Sequence, residues 1–381
     1  MRRLLFAGLT AIGVATAAHA QAAPCAYTAE AAAVSVPGRP FAALPSADGC
    51  WLFVSMLGAA KPSEGGGVAV LRNENGRFVV THVLPIAGGP GGIALTHDGR
   101  TLIAAAQDNV AIVDVEKLQR GDAGAVTVTL SEEADSGAIY AATSLDDGLL
   151  FVAEERRNRI AVLDLAQARG AGRRSVIGFI PQGRAPVGLA LSADGRRLYA
   201  TSEIASAPGL PAPCAPQVAG RGREQPEGTL SVIDVAAAGR DPAKALVAVR
   251  TAGCSPVRVA LSPDGGTAWV TARGDDRVEG FATARLSGAT TGPPEISVKV
   301  GTAPVGVAAR PDGAQVWVAN SDRFSANGNG SLTAVSPSGA VVRTVPSGRF
   351  PRDLRFLPDG KTLVVAEFGS QAVQFVPTDA P

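Results

Sequence analysis

The sequence predicts an all-β protein, a seven-bladed β-propeller with four antiparallel strands in each blade. Its 381 residues include 45 glycines and 27 prolines. Short Val-rich runs without an extended helical period of apolar residues favour strands joined by turns. A chain of this length usually forms two or three domains, but a repeat architecture places all of it in one. A repeated turn sequence and two complementary chain ends support the same fold.

An Asp-Gly pair separates two strand-like runs seven times along the chain. The aspartates of these pairs are Asp48, Asp98, Asp147, Asp194, Asp264, Asp312 and Asp359. Their successive spacings are 50, 49, 47, 70, 48 and 47 residues, so five periods are nearly equal and one is longer. Units of just under fifty residues are typical of four-stranded propeller blades.

The predicted strands follow one another in the same order, A to D, in each unit. A Gly-x-x-Pro segment leads into the inner strand A, such as "PVGLALS" from Pro186, and the Asp-Gly pair reverses the chain because Gly supplies a positive φ. Strand C is of the V-x-V type ("VAIVD", 110 to 114), and strand D resembles "VTVTL" (126 to 130). Strand B carries one large apolar residue at a repeating position: Phe53, Ile103, Phe151, Tyr199, Trp269, Trp317 and Val364.

The two ends of the chain predict how the ring closes. After Asp359 the last unit contains a strand B ("TLVVAE") and a strand C ("AVQFV") but no strand D. The segment "VSVPGRPFAAL" (34 to 44) aligns with "VKVGTAPVGVA" (298 to 308), so residues 34 to 36 form a strand D without a blade. We expect this strand to complete the seventh blade, because closure removes the exposed sheet edges.

The first twenty residues have the pattern of a secretory signal peptide. Arg2 and Arg3 precede an apolar stretch (4 to 17), and Ala18-His19-Ala20 forms an A-x-A site, which predicts cleavage after Ala20. Residues 21–381 then form a single soluble domain in the periplasm or outside the cell. Loss of two arginines changes the net charge from +1 to −1, which gives no general reason to bind nucleic acid or an anionic membrane.

The long period comes from residues 203–228, an insertion in blade four that contains five prolines. We expect it to cross the top face, which carries the D-to-A and B-to-C loops. It forms either a lid or partner surface, or a decoration without function.

Four cysteines remain in the mature chain, and they allow three pairings. Propeller topology places Cys214 and Cys254 in top-face loops, and Cys25 and Cys50 at the opposite face. The faces lie one strand apart, about 17–20 Å, whereas a disulfide needs Cα atoms within about 7 Å. The consistent choice is Cys214 with Cys254 and Cys25 with Cys50.

The phrases "PVGVAARPDGAQVWVAN", "PVGLALSADGRRLYATSE" and "PVRVALSPDGGTAWVTAR" closely resemble the YVTN-type repeat of the propeller lactonase group. The resemblance covers about residues 34 to 376, although the third repeat lacks its proline. It implies a seven-bladed propeller that meets ligands or partners at its top face or central channel. Some relatives are described as lactonases, others as non-enzymatic binding proteins, and at least one periplasmic relative as binding DNA. The repeated residues are specific for the fold and not for a function.

Several kinds of chemistry find no support in the sequence. His82 and His97 are the histidines left after processing, and there is no G-x-S-x-G, Walker or EF-hand motif. We therefore predict no metal, no cofactor and no Ser-His-Asp triad.

Two groups of residues are candidates for a site on the top face. The last residue of strand B is Glu154, Asn320 or Glu367 in three blades, and these side chains offer an acid, a base and an amide at the channel rim. The alternative is that they cap strands or pair with arginines. The second group is the arginines of the D-to-A segments: Arg39, Arg184, Arg258, Arg349 and Arg352.

Guanidinium groups suit a carboxylate or phosphate ligand. A rim in which the arginines pair with acidic residues of the same face is equally consistent with the sequence. Further charged residues share this face: Arg156, Arg157, Arg273, Arg323, Glu64, Glu155, Glu203, Asp275, Asp276 and Asp322.

The function predicted from these features is that of a monomeric binding protein, which holds a small anionic ligand or a protein partner on its top face. The main alternative is a lactonase-like hydrolase in which Glu154 or Glu367 activates water. A third alternative is single-stranded nucleic-acid binding, for which Phe324, Phe350 and Phe368 are the few stacking candidates.

Overall fold

A computed structural model describes residues 25–28, 32–58, 66–131, 133–170, 175–205, 214, 227–286, 288–290, 293–325 and 328–379. These residues form seven sheets, one for each blade, and each blade contains four antiparallel strands. The predicted fold class is confirmed. The predicted signal peptide (1–20) and most of the 203–228 insertion lie outside the described residues, so both stay predictions.

The strands of the first four blades follow one another along the chain. Blade 1 contains β2 (Arg39–Pro45), β3 (Trp51–Leu57), β4 (Gly66–Glu74) and β5 (Arg77–Ile86). Blade 2 contains β6 (Ile93–Leu95), β7 (Thr101–Ala106), β8 (Asn109–Asp114) and β9 (Val126–Ser131). Blade 3 contains β10 (Ala138–Thr143), β11 (Leu149–Glu154), β12 (Arg159–Asp164) and β13 (Val176–Pro181). Blade 4 contains β14 (Arg184–Leu191), β15 (Arg197–Ile204), β16 (Glu227–Asp234) and β17 (Leu246–Cys254).

The remaining blades use the rest of the chain and its beginning. Blade 5 contains β18 (Pro256–Leu261), β19 (Thr267–Ala272), β20 (Arg277–Ala282) and β22 (Ile296–Lys299), while β21 (Gly288–Thr290) pairs in parallel with β17. Blade 6 contains β23 (Pro304–Ala309), β24 (Val316–Asn320), β25 (Asn329–Val335) and β26 (Val341–Arg349). Blade 7 contains β27 (Pro351–Phe356), β28 (Thr362–Glu367), β29 (Ala372–Pro377) and β1 (Ala32–Ser35).

The core lies between neighbouring blades, and strand B contributes to it in every blade. All seven predicted strand-B residues are buried, including Trp269 and Trp317. Aromatic side chains of this size bury a large apolar area, so they provide much of the contact between blades.

Short helices follow strand C in three blades: α1 (Val115–Gln119), α2 (Leu165–Arg169) and α3 (Val235–Ala238). Each begins where the V-x-V strand ends in aspartate. Asp114, Asp164 and Asp234 accept a hydrogen bond from a first-turn backbone N–H and so cap the helix. Short 3-10 turns occur at Ala123–Ala125, Pro242–Lys244 and Thr283–Arg285. In the part of the chain that the structure covers, no helix is long and apolar enough to cross a bilayer.

The turn between strands A and B has a common geometry, and it corrects one residue assignment. In blade 1 the Ser46 hydroxyl donates to Asp48 (2.5 Å) and Gly49 has a φ of 67°. In blade 3 Ser144 donates to Asp146 (2.5 Å), and Asp147 itself takes the positive φ, 54°. Asp147 therefore occupies the Gly position, which Asp tolerates better than most residues. The repeating aspartate of blade 3 is Asp146.

The ring closes as predicted, with a small shift in the strand bounds. Strand β1 pairs antiparallel with β29, with Ala32 opposite Phe375 and Ser35 opposite Ala372. The predicted strand (34–36) therefore begins earlier and ends earlier in the structure. Val36 continues the interaction, because its N–H donates to the Gln371 carbonyl oxygen (2.9 Å).

Both predicted disulfides are present. Cys25 and Cys50 have their Cα atoms 5.1 Å apart, and those of Cys214 and Cys254 are 5.9 Å apart. The first links the segment before β1 to the turn of blade 1, so it holds the strand that closes the ring. The second ties the insertion of blade 4 to the end of β17, the last strand of the same blade.

Candidate ligand-binding site

The top of the central channel is lined by one repeated position of strand A. It is the residue that follows the proline of the repeat, or Ala138 in blade 3. In five successive blades it is Ile139, Val187, Val257, Val305 and Arg352. These side chains surround a cavity of about 340 Å³. Four of them are apolar, so Arg352 is the exception in this ring.

Charged side chains from the B-to-C side of the blades form the mouth of the cavity. Glu155 follows β11, Glu203 lies at the end of β15, Arg273 follows β19, and Arg323 follows β24. Arg273 holds Glu203 in a bidentate ion pair, with N–O distances of 3.0 and 2.7 Å. This pair neutralises one arginine and one carboxylate of the cavity.

Arg258 is a buried cation at the cavity wall, with only 5% of its surface exposed. Its Nη1 donates to the Val187 carbonyl oxygen (2.5 Å), and its guanidinium carbon lies 4.4 Å from the centre of the Tyr140 ring. Its Nε and Nη2 have no hydrogen-bond partner among the described residues. A buried N–H group without an acceptor is costly, so these groups favour an anionic ligand.

Arg352 is a half-buried arginine that is also held by an aromatic ring. Its guanidinium carbon lies 3.9 Å from the centre of the Phe41 ring, and its Nε has no partner within the described chain. Burial, followed by repulsion from Arg258, lowers the pKa of Arg352 to about 9, so the side chain remains a cation at neutral pH.

The cavity carries an excess of positive charge. Its lining includes four arginines (Arg258, Arg273, Arg323 and Arg352) and two glutamates (Glu155 and Glu203). Burial, with repulsion from Glu203, raises the pKa of Glu155. A carboxylate with a raised pKa gives up its negative charge more readily, which leaves the cavity still more positive.

A polar network lies across the channel beside Arg258. The Tyr140 hydroxyl donates to Asp353 (3.3 Å) and accepts a hydrogen bond from Arg355 Nη2 (2.7 Å). Tyr140, Arg258 and Asp353 occupy the same position of strand A in blades 3, 5 and 7, where four other blades have Gly or Ala. These large side chains fill the channel at this level.

The structure places the predicted strand-B residues inside the blades and not on the cavity. Glu154 is buried and accepts from Arg159 Nε of the same blade (2.5 Å). Glu367 accepts from the Gly348 N–H of blade 6 (2.6 Å). Asn320 Nδ2 donates to the hydroxyls of Ser331 (3.1 Å) and Thr333 (2.9 Å).

The reason for this placement is the order of the strands. Strand A lines the channel, and strand B lies one strand further out, about 4.8 Å away. Side chains at the end of strand B therefore meet strand C of their own blade or the neighbouring blade. None of the three lines the cavity at the channel top.

The predicted arginines divide into three groups. Arg258 and Arg352 line the channel cavity, whereas Arg39 and Arg349 line a second cavity of about 340 Å³ at the rim. Arg184 lines neither of these cavities. The strand-A residues Tyr140, Asp353 and Arg355 were not candidates from the sequence. The signal for Tyr140 and Asp353 is the departure from Gly or Ala at one repeated position of strand A, and Arg355 departs from Ala two residues later.

Comparisons with known proteins show the fold of the chain and no family. No protein-family model matches it, and no curated protein does. Similar solved structures include Kuenenia stuttgartiensis hydrazine synthase, with 18% identity over 91% of this chain and 97% of the other and a TM-score of 0.64. The β-propeller domain of Myceliophteria thermophila Cps50 (Swd1) has 13% identity over 91% and 99%, with a TM-score of 0.65. A chain of the mitotic checkpoint complex has 15% identity over 99% and 98%, with a TM-score of 0.65.

Proposed function

We propose that the protein is an exported binding protein that takes a small anionic ligand into the cavity at the top of its channel. The observation that carries this proposal is Arg258, a buried guanidinium with Nε and Nη2 unpartnered within the described residues. Charge-assisted hydrogen bonds to a carboxylate or phosphate would satisfy both groups.

The shape of the cavity supports a small ligand. A volume of about 340 Å³ is at the lower end of the range for small-molecule sites. The apolar residues Ile139, Val187, Val257 and Val305 give the ligand an apolar contact in the same cavity. A molecule with one or two acidic groups and a short carbon skeleton fits this combination.

Export is supported by two features. The first twenty residues have the signal-peptide pattern, and the two disulfides are the kind of bond that persists in oxidising compartments. We therefore place the protein in the periplasm or outside the cell.

The anion-binding proposal is tested by comparing wild type with Arg258→Gln and Arg352→Gln. Isothermal titration calorimetry with phosphate and a panel of mono- and dicarboxylates is the measurement. We expect each variant to lose about 10- to 100-fold in affinity, since a hydrogen bond to a charged group contributes about 1.5–3 kcal/mol.

The matched control is Arg184→Gln, which removes one arginine outside both cavities. Its affinity should equal that of wild type. Circular dichroism establishes that each variant is folded. Absence of binding to every anion of the panel, or an equal loss in the control, would contradict the proposal.

The hydrolase alternative stays a prediction, and the same cavity provides its test. The carboxylates that line the cavity are Glu155 and Glu203, and Glu203 is held by Arg273. A lactone panel assayed with wild type, Glu154→Gln, Glu367→Gln and Glu155→Gln shows which carboxylate supports turnover. A rate at background in wild type excludes hydrolysis of these substrates.

A further inference from the structure

The second cavity lies next to the first and shares one residue with it. Arg323 lines both cavities, and the rim cavity adds Arg39, Arg349, Asp322, Phe350 and Phe368, so its three arginines outnumber its one carboxylate. The rings of Phe350 and Phe368 lie 5.1 Å apart at an angle of 54°. Each ring also contacts Arg352, at 5.5 Å for Phe350 and 5.4 Å for Phe368. The two phenylalanines therefore line the rim cavity and also contact an arginine of the channel cavity.

The arginines and the aromatic rings alternate from the channel to the rim. Arg352 contacts Phe41 and Phe368, and Arg39 contacts the Phe368 ring at 5.7 Å. Arg323 contacts the Phe350 ring at 4.9 Å. Arg258 lies between the rings of Phe41 (5.8 Å) and Tyr140 (4.4 Å).

This alternation has a chemical consequence. A carboxylate partner occupies the N–H groups of a guanidinium and cancels its charge. An aromatic ring holds the guanidinium by its face and leaves the N–H groups at its edge for another acceptor. The rings therefore fix the arginines in place while their capacity to bind an anion is kept.

We propose that the rim cavity is a second anion subsite, and that the ligand is a linear molecule with at least two acidic groups that spans both cavities. This inference rests on the anion-binding function proposed above. One acidic group binds Arg258 and Arg352 in the channel, and the other binds Arg39 and Arg349 at the rim.

The geometry limits the length of such a ligand. The guanidinium carbons of Arg352 and Arg39 lie 5.4 and 5.7 Å from the centre of the same Phe368 ring, so they are separated by no more than the sum, 11.1 Å. A small linear molecule reaches across this distance. Oligophosphates and linear dicarboxylates are the two classes with this form.

The test is calorimetry at constant ionic strength with orthophosphate, pyrophosphate and tripolyphosphate, and in a second arm with linear dicarboxylates of rising length. We expect wild type to bind the longest phosphate about tenfold or more tightly than orthophosphate, because the second group adds an intramolecular contact. A parallel gain in the dicarboxylate arm shows that carboxylates occupy the same two subsites.

The variant Arg39→Gln/Arg349→Gln should remove this gain and leave unchanged the orthophosphate binding that depends on Arg258 in the channel. Arg184→Gln is the matched control and should keep the gain. Arg349 is an exposed residue, so the double variant is expected to fold, which the melting temperature checks.

Two results would overturn the inference while leaving the anion-binding function intact. One is orthophosphate binding that depends on Arg258 with no gain from added length in either arm. The other is a gain that survives in Arg39→Gln/Arg349→Gln. If wild type binds no phosphate or carboxylate of either series, both proposals fail together.

Discussion

Glu279 is a carboxyl group held in the core of blade 5 without a cationic partner at ion-pair distance within the described chain. It lies on β20 with 5% of its surface exposed, and its Oε1 accepts from the Ser297 hydroxyl (3.0 Å). Its Oε2 has no partner in the described part of the chain. Burial raises the pKa of Glu279 to about 7, against the lowering effect of the Ser297 hydrogen bond.

Because of Glu279, we expect the free energy of unfolding to decrease as the pH rises. The pKa of Glu279 increases from 4.5 in the unfolded chain to about 7 in the folded one, so the folded state binds the proton more tightly between these values. Its contribution to the free energy of unfolding is fully present below pH 4.5 and is lost as the pH passes 7. Glu279→Gln should be more stable than wild type at pH 8 by roughly 2–3 kcal/mol.

Urea unfolding of both proteins at pH 4.5 and at pH 8 measures this difference. The difference in the free energy of unfolding between Glu279→Gln and wild type should be small at pH 4.5 and larger at pH 8. A difference that is equal at both values would contradict the assignment.

At the residue scale, the sequence predicts which face carries the site but only part of the site. Arg258 and Arg352 were predicted as arginines of the D-to-A segments that suit an anion, and in the structure they lie in strand A, in β18 and β27. Glu154, Glu367 and Asn320 are also departures from their repeated position. The end of strand B lies one strand away from the channel, so these side chains meet strand C or the neighbouring blade, and a departure from the repeat does not show which of these a side chain contacts.

The strand that closes the ring depends on a single covalent link at its start. Cys25 is joined to Cys50, and its N–H donates to the Asp48 carbonyl oxygen (2.8 Å). Strand β1 itself contributes only four residues to blade 7. The disulfide therefore provides much of the fixation of this short element.

Replacing Cys25 and Cys50 by serine should free the N-terminal segment. The loop closed by this bond has a sequence separation of 25, and the loss of such a link costs about 3 kcal/mol in the unfolded-state entropy account. Limited proteolysis with mass spectrometry should show faster cleavage in residues 25–36.

The matched control is the serine variant of Cys214 and Cys254, with a sequence separation of 40. It should lose a similar amount of stability but keep the N-terminal segment protected. Equal cleavage of this segment in both variants would show that β1 is held by its strand pairing alone.

The elements were predictable wherever turn chemistry repeats. Asp-Gly pairs and V-x-V strands locate all seven blades, because Gly tolerates a positive φ and the alternating apolar pattern has a period of two. In blade 3 the turn aspartate was assigned as Asp147, one residue after Asp146, because Asp147 adopts the positive φ that Gly has in the other turns. The helices after strand C were not predicted, although the final aspartate of "VAIVD", "IAVLD" and "LSVID" is their capping residue.

At the scale of the whole molecule, the channel network connects blades that are not neighbours. Tyr140 of blade 3 bonds to Asp353 and Arg355 of blade 7 and stacks against Arg258 of blade 5. Both Tyr140 and Asp353 are at most 3% exposed. These contacts cross the axis of the ring. They therefore restrain the diameter of the ring and also fill the central channel.

Tyr140→Phe should lower the free energy of unfolding by roughly 1–3 kcal/mol, because it leaves Asp353 and Arg355 without a shared buried partner. Tyr199→Phe is the matched control, since Tyr199 is also a buried tyrosine, but in the core of blade 4 and away from the channel. Its effect should be within about 0.5 kcal/mol. Equal losses in the two variants, measured by urea unfolding, would show that the network has no role beyond packing.

The pairing of β1 with β29 also determines when the molecule can finish folding. The paired residues Ser35 and Ala372 come from opposite ends of the chain, so the first strand to leave the ribosome waits for one of the last. Contacts of such long sequence separation form slowly. Until Ala372 has been made, the ring stays open, and the faces of blades 1 and 6 that pack against blade 7 are exposed to other chains. These two faces are thus the last between blades to be buried, because their burial requires both β1 and β29.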